Sequence, residues 1–359
     1  MSILAKYFSK EFFKLLLLFQ FMLVSIYFII DFIQKIPDFI ERSIPMDMTL
    51  SYFLLKVPFI IIQTAPVATL LSVVLMFSLM EKRNEITAMK ASGISIVQLS
   101  KPIGIISIVI AVAVFLFAEL IVPYTSSRSN EIWYVDVRRK KERTRFYGHE
   151  RIWYKGKDAI YCIESYNPED KIMHDVTLYF FDDSFHLIKR IDAISGTWTG
   201  GKWKLREGIM QKVNNEGEYD LERFSEIDLE LPEGPETFVR SVKKPEEMSY
   251  WQLKRYAKRV NLEGYDATTY LVDMNMKLAF PVINIVMILL GIPIALRMKR
   301  RGTPLVVCVG IVGCFLYLLT LGFSRSLGLN GVLPPVLSAW LANIVFLFMG
   351  SYLIINTET

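Results

Sequence analysis

The sequence predicts an α-helical membrane protein with six transmembrane helices and an all-β, jelly-roll-like domain inserted between the third and fourth helices. Hydrophobic residues make up 52% of the 359 residues, and the mean hydropathy is +0.34. The apolar residues fall in long blocks on either side of a polar middle region with period-two alternation. This distribution excludes a single soluble globular domain and indicates a membrane part with a separate polar part.

Six stretches are apolar and long enough to cross a bilayer, whose hydrocarbon core needs about 20 residues of helix. A helix is required because backbone N–H and C=O groups find no water there. The first stretch contains Lys14 and Asp31 near its two ends, and Glu119 lies near the end of the third. The predicted spans are residues 12–33, 57–80, 102–122, 278–296, 303–324 and 332–355.

Basic residues in the short loops predict the orientation, because Lys and Arg accumulate on the cytoplasmic side. One side of the membrane carries Lys6, Lys10, Lys14, Lys82, Arg83, Lys90, Lys101, Arg297, Lys299, Arg300 and Arg301, whereas the other carries Lys35, Arg42, Lys56 and Arg325. We therefore expect both termini in the cytoplasm and the polar middle region outside. The middle region, 123–245, is nearly neutral, so the net charge of +5 belongs to the membrane part and does not indicate nucleic-acid binding.

The middle region predicts antiparallel β-structure. Short runs such as 151–155, 159–163 and 176–181 alternate apolar and polar residues and are rich in Tyr, Phe, Trp, Ile and Val. Turn residues separate the runs at 155–157, 167–169, 199–202 and 214–217. This pattern is typical of a sandwich, a barrel or a jelly roll, and it does not distinguish them.

An amphipathic helix is predicted for residues 245–260, ending near Gly264. Leu253, Tyr256, Ala257 and Val260 recur at helical spacing, and Lys and Arg occupy the other faces. Two interpretations remain open: the helix lies along a membrane surface, or it is a linker packed against the β domain.

The sequence lacks the common catalytic motifs. It contains no G-x-x-x-x-G-K-[ST] phosphate loop, no H-E-x-x-H motif and no G-x-S-x-G motif. The three cysteines and the scattered histidines His149, His174 and His186 lack metal spacing, so we interpret them as structural or surface residues. No carboxylate pair lies inside the spans, and we interpret Glu119 as structural or interfacial. We therefore expect no catalytic residue, no metal and no cofactor.

The loop between the second and third spans is the most informative short segment. Residues 84–91 are good helix formers, and Gly93 is suited to end the helix. A short helix that presents Glu85 beside Met89 fits a socket on a soluble partner, because an apolar side chain and a carboxylate are complementary to a pocket with an Arg. The alternative is a turn that lies flat at the lipid headgroups.

Several segments resemble the LptF/LptG (YjgP/YjgQ) permease family, and more closely its LptG branch. The segments are 83–93 (RNEITAMKASG), 21–25 (FMLVS), 29–32 (IIDF), 119–123 (ELIVP), 277–281 (KLAFP), 328–335 (GLNGVLPP) and 339–343 (AWLAN). Each motif alone is weak, but they extend over the whole chain in the family's order of three spans, β domain and three spans.

The resemblance implies a permease subunit of an ABC transporter that extracts lipopolysaccharide from the Gram-negative inner membrane and passes it to a periplasmic β-jelly-roll bridge. It implies as partners an LptF-like permease, a dimer of an LptB-like ATPase and an LptC-like bridge protein. Glu85 matches the coupling-helix glutamate that faces the ATPase, Met89 lies beside it, and Ala91 and Gly93 match the end of that helix. In the family, the first and fifth spans form the lateral entry for lipid.

On this basis we divide the chain into three parts. Residues 1–122 hold spans one to three, with the coupling helix within 81–94. Residues 123–245 form the periplasmic β-jelly-roll domain, and residues 246–359 hold the amphipathic linker helix and spans four to six.

One departure from the family affects the expected lipid site. Asp31 stands late in the first span, where some family members carry a basic residue, and a carboxylate does not pair with a lipid phosphate. Lys35 lies one turn further along the same helix face, and Arg128 follows the third span. We consider these two cations as lipid-phosphate candidates, with ordinary interfacial anchors as the alternative.

Two other functions compete with lipid export. The first is a membrane-anchored periplasmic binding or sensor module. Against it, six spans and a distinct cytoplasmic helix are more than an anchor requires. The second is a membrane enzyme acting on lipids, against which the lack of clustered His, Asp or Ser near the spans argues.

Overall fold

The computed structural model describes residues 3–137, 152–156, 159–167, 170–182, 184–214, 218–235, 244–262, 266–297 and 302–356. One compact unit comprises Met1–Arg139, Lys244–Lys258 and Ala267–Thr359, and a second comprises Lys140–Lys243 and Arg259–Asp266. His149, the helix end expected near Gly264 and the basic residues Lys299, Arg300 and Arg301 lie outside the described residues.

Within the described residues, six helices are long and apolar enough to cross a membrane, which confirms the predicted number. They are α1 (Ile3–Glu41), α2 (Met46–Lys82), α4 (Ile96–Leu120), α7 (Thr268–Arg297), α8 (Thr303–Leu329) and α9 (Pro335–Ile355). The first two contain 39 and 37 residues and are longer than the predicted spans. The apolar stretch alone locates a span, whereas the helical backbone continues into the polar residues on either side.

Among the described residues, three shorter helices accompany them: α3 (Glu85–Ala91) between α2 and α4, α5 (Val122–Glu131) after α4, and α6 (Tyr250–Leu262) before α7. A π-helical segment, Ile132–Val137, follows α5. The amphipathic helix predicted from residue 245 begins five residues later, because Pro245–Glu247 forms a 3₁₀ turn. Leu253, Ala257 and Val260 on its apolar face are buried, which favours a helix packed within the protein over one lying free on a membrane surface.

Polar side chains cross-link the helices in the interior of the bundle. The Thr69 hydroxyl on α2 donates to the Asn284 side chain on α7 at 3.1 Å. The Tyr317 hydroxyl on α8 donates to the Asn343 side chain on α9 at 2.8 Å, and the Asn343 amide donates to the Ala279 carbonyl on α7 at 2.9 Å. In hydrocarbon such bonds favour one helix arrangement, since the alternative is an unsatisfied polar group.

The first helix packs mainly against α2, along one stripe. The Phe8 and Phe77 rings lie 5.9 Å apart, and the Gln20 amide donates to the Thr64 hydroxyl at 2.8 Å. Only 6% of the most apolar stretch of α1 is buried. Its large exposed apolar residues include Leu17, Leu18, Phe21, Ile26, Ile29, Ile30 and Ile33. In a membrane, lipid or another chain covers this face.

Residues 152–229 form β-structure where the structure describes them, as predicted. The strands that the structure describes form one antiparallel sheet in sequential order, in which each strand pairs with the next. They are β1 (Ile152–Lys155), β2 (Ala159–Asn167), β3 (Ile172–Phe181), β4 (Leu187–Thr199), β5 (Lys202–Val213) and β6 (Tyr219–Leu229). The chain thus carries a β-meander between its third and fourth long helices, which confirms the predicted fold class.

Along each of the strands β2 to β6, inward and outward side chains alternate, and this alternation is broken once. The breaks lie at paired positions in neighbouring strands. In each strand two successive residues are more exposed than the inward residues on either side, so the alternation shifts by one position. Because partner strands are interrupted together, pairing resumes in register and the same face stays buried. The pairs are Glu164–Ser165, His174–Asp175, Ile194–Ser195, Arg206–Glu207 and Ser225–Glu226.

The core of this unit is aromatic and aliphatic. Trp203 and Tyr161 are fully buried among Ile163, Leu178 and Ile191. The Trp203 indole N–H donates to the Glu233 carbonyl at 2.8 Å, and the Tyr161 hydroxyl donates to the Glu233 carboxylate. The buried polar atoms of both rings are therefore satisfied, as a buried Trp or Tyr requires.

We expect Gly208→Ala to destabilise the sheet. A Cβ at Gly208 would lie within 3 Å of the Phe224 ring and the Asp192 carbonyl oxygen on the two neighbouring strands. Overpacking of this kind typically costs about 1–3 kcal/mol. Hydrogen–deuterium exchange of β4 and β5 amides in the full-length protein should therefore accelerate.

Gly104→Ala in α4 is the matched control, because a Cβ built there lies within 4 Å of no atom beyond its chain neighbours and its own helix backbone. Its sheet amides should exchange as in the wild type. Unchanged exchange in the Gly208→Ala protein would show that the neighbouring strands separate at little cost.

Candidate functional site

The short helix α3 forms where the sequence predicted it. Asn84 precedes it with a φ of 59°, and Gly93 follows it with a φ of 84°. Glycine adopts this left-handed conformation without a Cβ penalty, which explains its place after the helix end. Ala91 is the last helical residue and is exposed, and the Ser92 hydroxyl donates to the Met89 carbonyl at 2.8 Å.

One face of α3 is anchored in the helix bundle. Ile86 is 1% exposed and belongs to the apolar cluster that also contains Phe8 and Phe77. Met89 is half-buried and packs against the same cluster. The predicted apolar contact residue therefore points partly into its own bundle, and the exposed residues of α3 are Thr87, Ala88, Lys90 and Ala91.

Glu85 begins α3 and is partly accessible. Its side chain is 28% exposed. The Tyr7 hydroxyl of α1 donates to carboxylate oxygen Oε2 at 2.9 Å, whereas the Arg83 guanidinium lies 3.8 Å from Oε1. The carboxylate retains acceptor capacity for a further cation, because a carboxylate offers about four lone-pair sites. The sequence did not indicate Tyr7, which lies 78 residues from Glu85.

At the opposite end of the bundle, Asp31 lies between two lysines. The Lys35 ammonium, one turn along α1, is 3.3 Å from its carboxylate, and the Lys56 ammonium of α2 is 2.5 Å away. The i, i+4 spacing indicated that Lys35 and Asp31 share a helix face. The contact with Lys56 depends on how α1 and α2 pack, so the sequence alone did not indicate it.

Aromatic rings enclose the Lys35 ammonium. It donates to the Tyr52 hydroxyl and lies 4.8 Å from the centre of the Trp133 ring and 5.1 Å from that of Tyr52. Its side chain is 22% exposed. Lys35 is thus held by internal contacts rather than projecting freely, although the cluster of one carboxylate and two ammonium groups retains an excess positive charge.

The second lipid candidate, Arg128, lies on α5 and is exposed. Its guanidinium donates to the Glu131 carboxylate at 2.7 Å. This hydrogen bond, supported by the charge of Glu131, raises the pKa of Arg128. An exposed i, i+3 pair of this kind is weak and exchanges readily with other anions.

Glu119 has the structural role that the sequence favoured. Its carboxylate accepts a hydrogen bond of 2.7 Å from the Tyr250 backbone N–H at the start of α6. A carboxylate at a helix N-terminus satisfies an N–H group that has no intrahelical partner. The neighbouring Asn130 amide donates to the Glu247 carboxylate at 2.7 Å, which further attaches this segment to α5.

A cavity of about 350 Å³ opens near the end of the bundle where α7 begins and α8 ends. Its walls include Phe59, Ile62 and Phe280. The Arg325 guanidinium of α8 and the Asp273 carboxylate of α7 form an ion pair of 2.7 Å at its edge. The cavity combines an apolar interior with a charged rim, an arrangement suited to an amphiphile.

Comparison with known proteins agrees with this architecture. The sequence profile described as lipopolysaccharide export system permease LptF/LptG matches residues 6–356. The lipopolysaccharide export system permease protein LptG of Escherichia coli strain K12 is 21% identical over 370 residues, which cover 99% of this chain and 98% of that protein. LptG of Escherichia coli O6:H1 strain CFT073 is equally similar, with the same coverage. Because the profile covers the long helices and the sheet alike, the chain belongs to the LptF/LptG family of lipopolysaccharide export system permeases.

Proposed function

We propose that this chain is the LptG-type permease subunit of an ABC transporter that extracts lipopolysaccharide from the inner membrane and passes it to a periplasmic β-jelly-roll bridge. The observation that carries the proposal is the family match over residues 6–356. The names of the two relatives support the LptG type. The energy comes from a separate ATPase, since the chain contains no phosphate-binding loop.

The proposed partners are an LptF-like permease, an LptB-like ATPase dimer and an LptC-like bridge protein. The exposed apolar face of α1 supports a membrane partner or lipid at that face. Among the described strands, the first and the last each pair on one side only. This supports a bridge built by strand addition, because that mode requires only unpaired backbone groups.

The proposed topology places both termini and α3 in the cytoplasm and the β domain in the periplasm. The loop charges support it, with eleven basic residues on the α3 side and four on the other. The proposed parts are residues 1–122 with the coupling helix, the β domain 123–245, and residues 246–359 with the linker helix.

In the proposed mechanism, closure of the ATPase dimer moves α3, and the helices squeeze lipid from a lateral cavity towards the β domain. The Glu85 carboxylate pairs with a basic side chain of the ATPase. Met89 anchors α3 to the bundle, so that displacement of α3 reaches the spans, and Ala91 and Gly93 end the helix sharply. α1 and α8 line the lipid entry.

Purification of the tagged chain from its native membrane in mild detergent, followed by mass spectrometry, tests the whole proposal. Recovery of an ATPase, a second six-span permease and lipopolysaccharide would support it. Recovery of the chain alone in several detergents would instead favour a membrane-anchored periplasmic binding or sensor module.

We expect Glu85→Lys to leave the protein inserted but to uncouple it from the ATPase, because the substitution places a cation against the partner's cation. Breaking such a charge pair at an interface typically costs about 2–5 kcal/mol. ATPase co-purification and ATP-driven lipid release from proteoliposomes should both fall sharply.

Glu41→Lys is the matched control, since Glu41 is exposed at the opposite end of α1. It should co-purify with the ATPase as the wild type does. Normal ATPase recovery and normal lipid release in the Glu85→Lys protein would contradict the assigned role of α3.

We also propose that Lys35 attracts a lipid phosphate through the excess positive charge of its cluster with Asp31 and Lys56. Lys35→Ala should weaken lipopolysaccharide binding about fivefold, since one basic residue near an anionic surface contributes about 1 kcal/mol. Asp31→Asn should change the affinity in the opposite direction. Arg128→Ala should have a smaller effect, because Arg128 is exposed and paired with Glu131.

Titration of the detergent-solubilised complex with fluorescent lipopolysaccharide measures these affinities, and added salt should reduce the differences. Lys14→Ala, which removes an exposed lysine from the other end of α1, is the control. Equal affinities of the Lys35→Ala, Asp31→Asn and wild-type proteins would rule out a phosphate site at this cluster.

A further inference from the structure

The N-terminal end of α1 is joined to α3 by a hydrogen bond, and both helices contribute to one apolar cluster. The Tyr7 hydroxyl donates to the Glu85 carboxylate at 2.9 Å. The next residues in each helix, Phe8 and Ile86, are both buried in one apolar cluster. The polar contact between the two helices is therefore followed in each helix by a residue that is buried in the same apolar cluster.

In the described part of the chain, the Glu85 side chain forms a hydrogen bond through one carboxylate oxygen only. Tyr7 binds Oε2, and the nearest guanidinium nitrogen of Arg83 is 3.8 Å from Oε1, beyond a normal hydrogen bond. A carboxylate held through one oxygen keeps its other oxygen in a defined position. Such preorganisation lowers the ordering cost when a guanidinium binds.

The rest of α1 is attached to α2 at two further levels. The Gln20 amide donates to the Thr64 hydroxyl and to the Ile61 carbonyl near the middle of the span. The Lys56 ammonium binds the Asp31 carboxylate nearer the other end. α1 is thus a long helix with polar attachments along its length, and the attachment nearest its N-terminus joins it to α3 rather than to α2.

We propose that Tyr7 is a positioning residue for energy coupling: its hydroxyl orients Glu85 for the ATPase and ties α3 to α1. A displacement of α3 then reaches α1 directly, in addition to its covalent connection through α2. This inference rests on the proposed coupling role of Glu85. Tyr7 acts through Glu85 and needs no contact with the ATPase or the lipid.

The test uses Tyr7→Phe in the complete complex of both permeases and the ATPase, reconstituted in proteoliposomes. The substitution removes one hydroxyl and keeps the ring, whose centre lies 6.2 Å from the centre of the Phe8 ring. We expect ATPase affinity to fall about threefold to tenfold, which matches the net contribution of one typical hydrogen bond. Lipid released per ATP hydrolysed should fall as well. Tyr352→Phe, at an exposed tyrosine of α9, should change neither quantity.

A double-mutant cycle with Glu85→Gln distinguishes positioning from general stabilisation. If Tyr7 acts through the Glu85 carboxylate, Tyr7→Phe should add little once that carboxylate is an amide. Additive losses in the double variant would overturn the inference, as would wild-type coupling in Tyr7→Phe while Glu85→Lys uncouples the complex. Wild-type coupling in Glu85→Lys would instead refute the proposed role of α3 itself.

Discussion

The hydrocarbon core of a membrane offers no water to hydrogen-bond a polar group, and the membrane part of this protein follows from that constraint. Each backbone N–H and C=O group must be satisfied within its own segment, so the six apolar stretches are helices. The same constraint governs side chains. Thr69 hydrogen-bonds Asn284, Tyr317 hydrogen-bonds Asn343, and Lys56 of α2 binds Asp31 of α1. These contacts between helices select one arrangement among apolar surfaces that would otherwise pack in many ways.

The charged contacts of α1 lie towards its two ends. Near the N-terminus Tyr7 binds Glu85 of α3, and nearer the other end Asp31 binds Lys35 and Lys56. Members of this family are permease subunits of a lipopolysaccharide export system in which a separate protein hydrolyses ATP. The ATPase must therefore act on such a subunit through a contact surface, and the helices of the subunit must move in response. A long helix with defined attachments near both ends is suited to transmit it.

The sheet of the second unit buries one face although it is a single meander. In a flat sheet, strict alternation of inward and outward side chains along each strand would keep that face buried. Here five strands each carry two successive outward residues at one level, and Asp175 and Glu207 adopt left-handed backbone conformations there. Because the interruptions are matched, pairing resumes in register on the far side of each interruption. Outward positions can then vary in chemistry without disturbing the core around Trp203 and Tyr161.

The sequence by itself determined the features that depend on local pattern. These are the number of spans, the all-β insertion, the short helix with Gly93 after its end, and the helix face that Asp31 and Lys35 share. Only the tertiary structure decided which helices meet. In the tertiary structure, Lys56 binds Asp31, Met89 packs partly against the bundle, and Tyr7 hydrogen-bonds Glu85. The strands are arranged as a meander. Periodicity specifies which face of an element is apolar, but contacts between residues 25 or 78 positions apart depend on packing that no local pattern encodes.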